Sequence, residues 1–521
     1  MKRTSHWLSH TAIGMLVARA TRRVQAVHSQ VVRRMGYHRF LPLTVIAGLM
    51  SGCGGGSPPT SVAPIPPTVQ NTSVTILVSS TANDRVVQAN LTVANLMLTD
   101  AMGNAVNVLS SPQSAEFMHL NGPTESLVTV DVPQGVYTAA TATLGNANFA
   151  CVALTSSGSI SAGTTTLISG TPTVTVPAPI SITGTHLNLV LNLQISSSQG
   201  NSACSALYTS PPSGSSDATI TPAFTLTAMA PTAQMMSSDL PGETGLIGVV
   251  SALASDGSGF NVAGADGPAW SVKVSGSTVF QGVAGLSALS VGLPVNFDAS
   301  PQSDGSLLAS RVEVTDANVS ELTVWRGPMI FISNAAPQGD LFVTERVGAL
   351  FAGVEGEGGP WGLGFGADTI FQTSAQFSNL SSLPFSATFA ANNIVAGQSV
   401  YLSTHASAFP NSPGLVAVTT VTLLPQTING TVTVVGSAGS FTTYTVALAS
   451  YNLFTALATQ GGQTTILTNP GSVVVYIDTS TQTLNTAPLT IGSLLRFNGL
   501  VFNDNGTLRM DCAEVLDGVG L

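Results

Sequence analysis

The residue types able to do chemistry are few in this 521-residue chain, and their spacing is poor. Four cysteines occur, Cys53, Cys151, Cys204 and Cys512, with no pair at the CxxC spacing of a metal or redox site. Cys512, in RMDCAEV, falls at an alternating strand position and reads as a small buried hydrophobe. Behind Cys53 only His119, His186 and His405 remain, in three separate segments, and each reads as a solvated or hydrogen-bonded side chain and not as a base. The acid pairs are Glu355 with Glu357 and Asp511 with Glu514. A two-carboxylate glycosidase needs acids on converging elements, and a calcium loop needs an Asp-x-Asp-x-Asp-Gly series, which is absent. There is no Gly-x-Ser-x-Gly elbow, His-Glu-x-x-His pair or phosphate loop. No catalytic, cofactor-binding or metal-ligating residue is therefore assigned, and no enzyme activity and no cofactor are expected. A hydrolase with a triad dispersed along the chain is the lesser alternative.

The element that positions Cys53 is more informative. Eleven residues, Phe40 to Met50, form an apolar run preceded by Arg33, Arg34 and Arg39 and followed by Ser51 and Gly52. The run is too short to cross about 30 Å of hydrocarbon and suits the apolar core of a secretory signal. FLPLTVIAGLMSGC resembles the signal of a bacterial lipoprotein, with MSGC as the lipobox. The resemblance implies cleavage before Cys53, a lipid on its sulfur and an acylated amino terminus, and hence firm anchoring in a lipid bilayer. Met50 and a 52-residue leader depart from the usual pattern. Met35 begins a segment of ordinary signal length and is the expected start. Gly54-Gly55 lacks the Asp that often follows the cysteine in inner-membrane lipoproteins, which favours the outer membrane.

Eight of the 15 basic residues precede Cys53 and no acid does, which leaves 7 basic against 25 acidic side chains, a formal charge of −18. Such a surface repels nucleic acid and anionic headgroups. Low charge with ample apolar content suits a secreted β-rich protein of several modules. In that compartment Cys151 and Cys204, within one domain, are candidates for a disulfide.

Residues 1–52 are thus read as signal peptide and 53–70 as lipidated cysteine and Gly/Pro tether. A β-sandwich is expected over 71–228, a linker over 229–243, and β modules over 244–318, 319–425 and 426–521. In VVQANLTVANLMLTD, Val87, Ala89, Leu91 and Val93 share one face, Asn95 breaks the alternation, and Leu96 and Leu98 resume it, as a β-bulge allows. In HLNLVLNLQI, the leucines from Leu187 to Leu193 and Ile195 face one way. The segment VDVPQGVYT resembles, at Val132, Pro133, Gly135 and Tyr137, a domain of unknown function found directly behind the lipobox in many bacterial lipoproteins. That resemblance implies a prealbumin or transthyretin-like sandwich. Asp84 is only a loose equivalent of the acid many members carry.

The remainder reads as a repeat. LSVGLPVNFDASPQSDGSLLASRVEV matches LTIGSLLRFNGLVFNDNGTLRMDCAEV at Gly292 with Gly492, Phe297 with Phe497, Gly305 with Gly506 and Glu313 with Glu514. Gly397 matches the same glycine in the middle copy, and TGLIGVVSAL resembles INGTVTVVGS. Asp304-Gly305 and Asn505-Gly506 are hairpin signals. The layout resembles a tandem, small β-barrel-like bacterial domain of unknown function, and the first copy matches best. GEGGPWGLGFGAD is read as an insertion in the second module. Trp361 within it is either a stacking platform for a sugar or partner, or a ring tucked back onto the barrel. The fold class is all-β. The expected role is a lipid-anchored cell-envelope protein that is structural, a stalk or adhesive. The alternative is a surface module binding envelope glycans or other surface proteins.

Overall fold

The computed structural model describes residues 70–519 apart from 83, 85, 155–159, 167–171, 196–221, 230–242, 266, 303, 315–321, 334–337, 349–357, 375, 378, 406–414, 459–466 and 485–487. Over these residues the chain is all-β, in five sheets. Two of them build a sandwich. The first joins β1 (Asn71–Ala82), β5 (Glu125–Pro133), β8 (Thr173–Thr175), β10 (His186–Ile195) and β11 (Ala223–Met229) in the order β5-β1-β10-β11-β8, with β1 parallel to β10. The second is β3-β2-β6-β7, from β2 (Val86–Asp100), β3 (Ala105–Asn107), β6 (Gly135–Leu154) and β7 (Ile160–Thr166). β4 (Gln113–Glu116) joins it on β2 and β9 (Ile180–Ile182) on β6.

One apolar cluster lies between the two sheets. Ile76, Val78, Leu189, Leu191 and Leu193 come from the first sheet, and Ala89, Leu91, Val93, Leu96 and Leu98 from the second. The pairing of β2 with β6 shifts register between Val93 and Asn95, which returns the alternation to the core after the polar residue. Val87 does not join this core. It turns outward and packs with Phe342 and Ala456, far along the chain. Val87 is expected on the face of Ala89, but the β2–β6 register also shifts between Val86 and Gln88, so Val86 takes the core position and Val87 the opposite face.

Behind the sandwich come three barrels of one design. The first runs through β12 (Glu243–Leu253), β13 (Gly259–Gly264), β14 (Ala269–Lys273), β15 (Val279–Gln281), β16 (Pro294–Pro301) and β17 (Leu307–Glu313). Its order is β14-β13-β12-β16-β17-β15, and the parallel pairing of β14 with β17 closes the sheet. β12 lies between β13 and β16, and β14 lies parallel to β17; with the short β15 left out of the count, this is the connectivity of an OB-type barrel. The second barrel uses β18 (Leu322–Ser333), β19 (Gln338–Val343), β20 (Glu345–Gly348), β21 (Gly358–Thr373), β22 (Ser399–His405) and β23 (Val416–Leu423). The long β21 pairs with β19 and runs parallel to β23, so it does the work of two short strands in the first barrel. The segment read as an insertion is thus, from Gly358 to Asp368, the front part of the barrel strand β21. Its glycines let strands approach: a Cβ on Gly359 would sit 2.8 Å from the Leu341 carbonyl oxygen. The third barrel comprises β24 (Gln426–Ala438), β25 (Phe441–Leu448), helix α1 (Leu453–Leu457), β26 (Ser472–Ile477), β27 (Gln482–Leu484), β28 (Leu494–Asp504) and β29 (Thr507–Asp517). It repeats the order of the first barrel strand for strand.

Two glycine positions explain why these sequences close the same way. Gly292, Gly397 and Gly492 have φ of 92°, 100° and 91°, and each donates its N–H to the first strand of its barrel, at Val250, Met329 and Val432. Those residues return the bond to the next carbonyl, at Leu293, Gln398 and Ser493. Two residues before them stand Gly248, Gly327 and Gly430. A Cβ there would lie 2.4, 1.9 and 2.5 Å from the carbonyl oxygens of Ala263, Phe342 and Ala447 on the second strand. The match of Glu313 with Glu514 does not extend to the pairing. Phe297 faces Val312 but Phe497 faces Val515, because the last hairpin is longer.

The four domains also touch one another. The first barrel meets the second where the Arg326 Nη1 reaches the Gly245 carbonyl at 3.1 Å and Gln372 reaches Glu313 at 2.7 Å. Leu500 and Phe502 of the third barrel enter the core of the second, and Phe385 of the second stacks on Tyr476 of the third with ring centroids 4.7 Å apart.

Candidate functional site

The densest group of buried ionisable side chains lies where the sandwich meets the barrels. It begins in the turn between β4 and β5. Glu116 closes β4, and its carboxylate accepts from the backbone N–H groups of Ala89 (2.8 Å), Met118 (3.0 Å) and His119 (2.9 Å). Three fixed donors hold the acid in place, and the acid in turn holds the imidazole. His119 Nδ1 lies 3.1 Å from Glu116 Oε2, and Nε2 lies 3.1 Å from Glu125 Oε2. Glu345, from the second barrel, stands 3.5 Å from Nδ1. Burial works against the charged ring, and the Arg326 charge does too. Glu345 and the bonds to Glu116 and Glu125 prevail and hold its pKa up at about 10. His119 is an imidazolium with both ring nitrogens donating, so it has no lone pair to offer as a base.

The charge relay continues outward. Arg326 Nη1 donates to Glu345 Oε2 at 3.1 Å and to the Gly245 carbonyl of the first barrel. Burial raises the Glu345 carboxyl, with His119 and Arg326 opposing. Nearby, Ser126 Oγ donates to Glu243, and the Trp270 indole donates to the Ser126 carbonyl at 2.8 Å. Glu243 is fully buried, and burial pushes its pKa to about 8. Its Oε2 has no hydrogen-bond partner among the described residues.

A second anchor joins the sandwich to the third barrel. Asp84 accepts from the Asn429 N–H at 3.1 Å and from Asn452 Nδ2 at 2.7 Å. Burial raises its pKa to about 6, against those bonds and the Arg496 charge. Arg496 Nη1 reaches Asn121 Oδ1 at 2.6 Å, and its Nε reaches the Asp517 carbonyl at 2.8 Å. Asn121 is itself pinned to both the N–H and the carbonyl of Ala82 at 3.1 Å. Glu514 is buried beside Arg496, and burial raises its pKa to about 7. Between the two anchors lies a polar cavity of about 110 Å³ bordered by Asp84, Glu116, His119, Arg326, Gln426 and Asn452. Among the described residues no group of three or more His, Cys, Asp or Glu is placed to hold a metal.

Of the residues singled out in the sequence, His119, Asp84 and Glu514 meet at this junction, and the others stand elsewhere. Trp361 is not a loop residue. It sits in β21 opposite Leu341, half-buried, with its ring 6.0 Å from that of the fully buried Trp325. Its Nε1 is buried without a partner among the described residues. Cys53, Cys204, Glu355 and Glu357 lie outside the described residues, as does the side chain of Cys151, so the candidate disulfide does too. Cys512 is buried in the core of the third barrel, and burial pushes its thiol well above the ordinary range. His186 Nε2 lies 2.8 Å from Asn188 Oδ1.

Sequence reasoning missed the junction because its members are spread from Asp84 to Glu514. One signal was available. Only seven basic residues follow Cys53, and Arg311, Arg326 and Arg496 lie in strands whose neighbours are apolar. A scarce arginine kept among buried residues marks a paired charge. Arg311 shows the pattern within the first barrel, bonding Asp298 at 2.6 Å and Glu313 at 2.7 Å.

Residues 247–313 match a domain of unknown function, DUF5666. The match spans β12 to β17 from Ile247 onward, so it covers the first barrel. No curated protein matches the chain.

Proposed function

We propose that this is a lipid-anchored cell-envelope protein, held through acylated Cys53, with a structural or adhesive role and no catalytic one. The observation that carries the role is the junction. One buried charge pair, His119 with Glu345, joins the sandwich to the second barrel, and buried charged groups bonded to neutral partners join it to the others: Asp84 to Asn429 and Asn452 and Arg496 to Asn121 for the third barrel, Glu243 to Ser126 for the first. Removing one partner of such a pair is costly, which suits a body that must keep one shape. The imidazole that would serve as a base is saturated by carboxylates. Because all three barrels contact the sandwich, the role would come from the surface of the block and not from reach. The address rests on FLPLTVIAGLMSGC, and the outer membrane and a transthyretin-like origin for the sandwich belong to the same proposal. Metabolic labelling with a palmitate analogue tests the anchor: label lost in Cys53→Ala supports it, and label retained or never acquired overturns it.

A second reading, a module binding surface proteins, is favoured by one repeat feature. Leu253 and Val291 of the first barrel are exposed, and so are Val435 and Ile491 at the equivalent places in the third. Glycan binding draws less support, since the Trp361 ring is turned against Trp325. Glycan-array binding by the Gly54–Leu521 fragment, lost in Trp361→Ala, would reinstate it.

A further inference from the structure

One end of the sandwich presents apolar side chains beside the point where the chain enters. The turn after β2 is rigid: Asp100 Oδ1 accepts from the N–H groups of Met102 (2.9 Å) and Asn104 (2.8 Å), and its Oδ2 accepts from Asn104 Nδ2 at 2.8 Å. This pushes the Met102 side chain out until it is 84% exposed. The neighbouring turn between β5 and β6 is fixed by Tyr137, whose hydroxyl donates to the Pro133 carbonyl at 2.9 Å, and it leaves Val136 53% exposed. Asp100 pairs with Tyr137 across the strands, so the two turns are adjacent, and they flank an open groove of about 570 Å³. The chain comes in at this same end. Gln134 donates its N–H to the Gln70 carbonyl at 2.8 Å, and Asn71 pairs with Pro133.

We propose that the Met102–Val136 end of the sandwich rests in the interfacial layer of the bilayer that carries acylated Cys53. The inference rests on the anchor reading above and adds the orientation of the body. Seventeen residue steps separate Cys53 from Gln70, so this end stays within roughly 60 Å of the acyl chains even at full extension. An apolar pair on a stiff mount held that near a bilayer gains by burying itself among headgroups. Among the described residues no basic side chain lines the groove, so contact depends on apolar side chains and not on anionic lipid.

The full-length acylated protein in phosphatidylcholine vesicles tests it, with Met102→Trp compared against Ile491→Trp, which lies 68% exposed on the third barrel. The native Trp270, Trp325 and Trp361 are buried or half-buried and give a constant background. Lipids brominated on their acyl chains should quench the residue 102 fluorescence selectively, unchanged by added salt, and Val136→Ser should weaken that quenching. Mass spectrometry of the Cys53 peptide is read on the same sample. An acylated protein with no quenching at 102, or equal quenching at 102 and 491, overturns the orientation and leaves the anchor standing. An unacylated Cys53 overturns both. Shielding of residue 102 by self-association without lipid overturns the proposal in favour of a second copy.

Discussion

His119 and Glu345 face each other at 3.5 Å across the boundary between the sandwich and the second barrel. The imidazolium there bonds two carboxylates of its own domain and faces a third, Glu345, which Arg326 of the second barrel also pairs. His119→Gln leaves Glu116, Glu125 and Glu345 close together and buried, at an expected cost of about 3–5 kcal/mol. Denaturant unfolding and hydrogen exchange should show the loss, with exchange rising first in β20 and the β4–β5 turn. A double-mutant cycle with Glu345→Gln should return a coupling of about 0.5–3 kcal/mol. Additive effects would show that the two side chains do not interact.

Stability should fall as pH rises across the neutral range. Asp84, Glu243 and Glu514 have folded pKa values of about 6, 8 and 7, above the ordinary carboxyl values of 3.8 and 4.5. His119 is raised from 6.5 to about 10. Each group binds its proton more tightly folded than unfolded, so its contribution is complete below the unfolded pKa and is lost as pH climbs through the folded one. The exposed acids Asp100 and Asp256 have lowered pKa values and act in the opposite sense, below their ordinary 3.8. The melting temperature should therefore be several degrees higher near pH 5 than near pH 8, and Glu243→Gln should flatten part of the slope. A melting temperature that is level or rising over that interval would refute the assignment.

The three barrel glycines should not be equally sensitive. At Gly492 a Cβ meets nothing within 4 Å, so Gly492→Ala carries only left-handed backbone strain, about 1–2 kcal/mol. At Gly397 a Cβ would also lie 2.6 Å from the Phe454 ring, so Gly397→Ala should cost more and disturb the contact between the second and third barrels. Equal losses in urea unfolding would sink this ordering.

Trp361→Ala should destabilise the second barrel by about 3 kcal/mol, at the lower end for a large aromatic because the ring is half-buried. An unchanged unfolding midpoint would mean that the ring does not pack against Trp325.

The sheet class and the repeat were legible because they depend on local pattern. Alternation marked β2 and β10, and Asn505-Gly506, with φ of 53° and 88°, made the expected tight hairpin. Gly292, Gly397 and Gly492 were legible because a positive φ filters the residue type strongly. The second barrel was harder, since β21 carries five glycines between Gly358 and Gly366, together with Pro360 and Trp361, and glycine erases the period of two. The junction was illegible for another reason. Arg496 and Asn121 meet across 375 residues, and no window of sequence contains both. The outward turn of Val87 belongs to the same class, because its partners Phe342 and Ala456 arrive from two other domains.

The placement of β1 has a mechanical consequence. It is the first strand of the sandwich, yet it lies inside its sheet, bonded to β10 along one side and β5 along the other. Tension arriving through the residues before Gln70 runs along this strand and loads both rows of hydrogen bonds in shear. They must give way together, where an edge strand would unzip one bond at a time. A chain hauled by its amino-terminal end thus loads first a strand held on both sides.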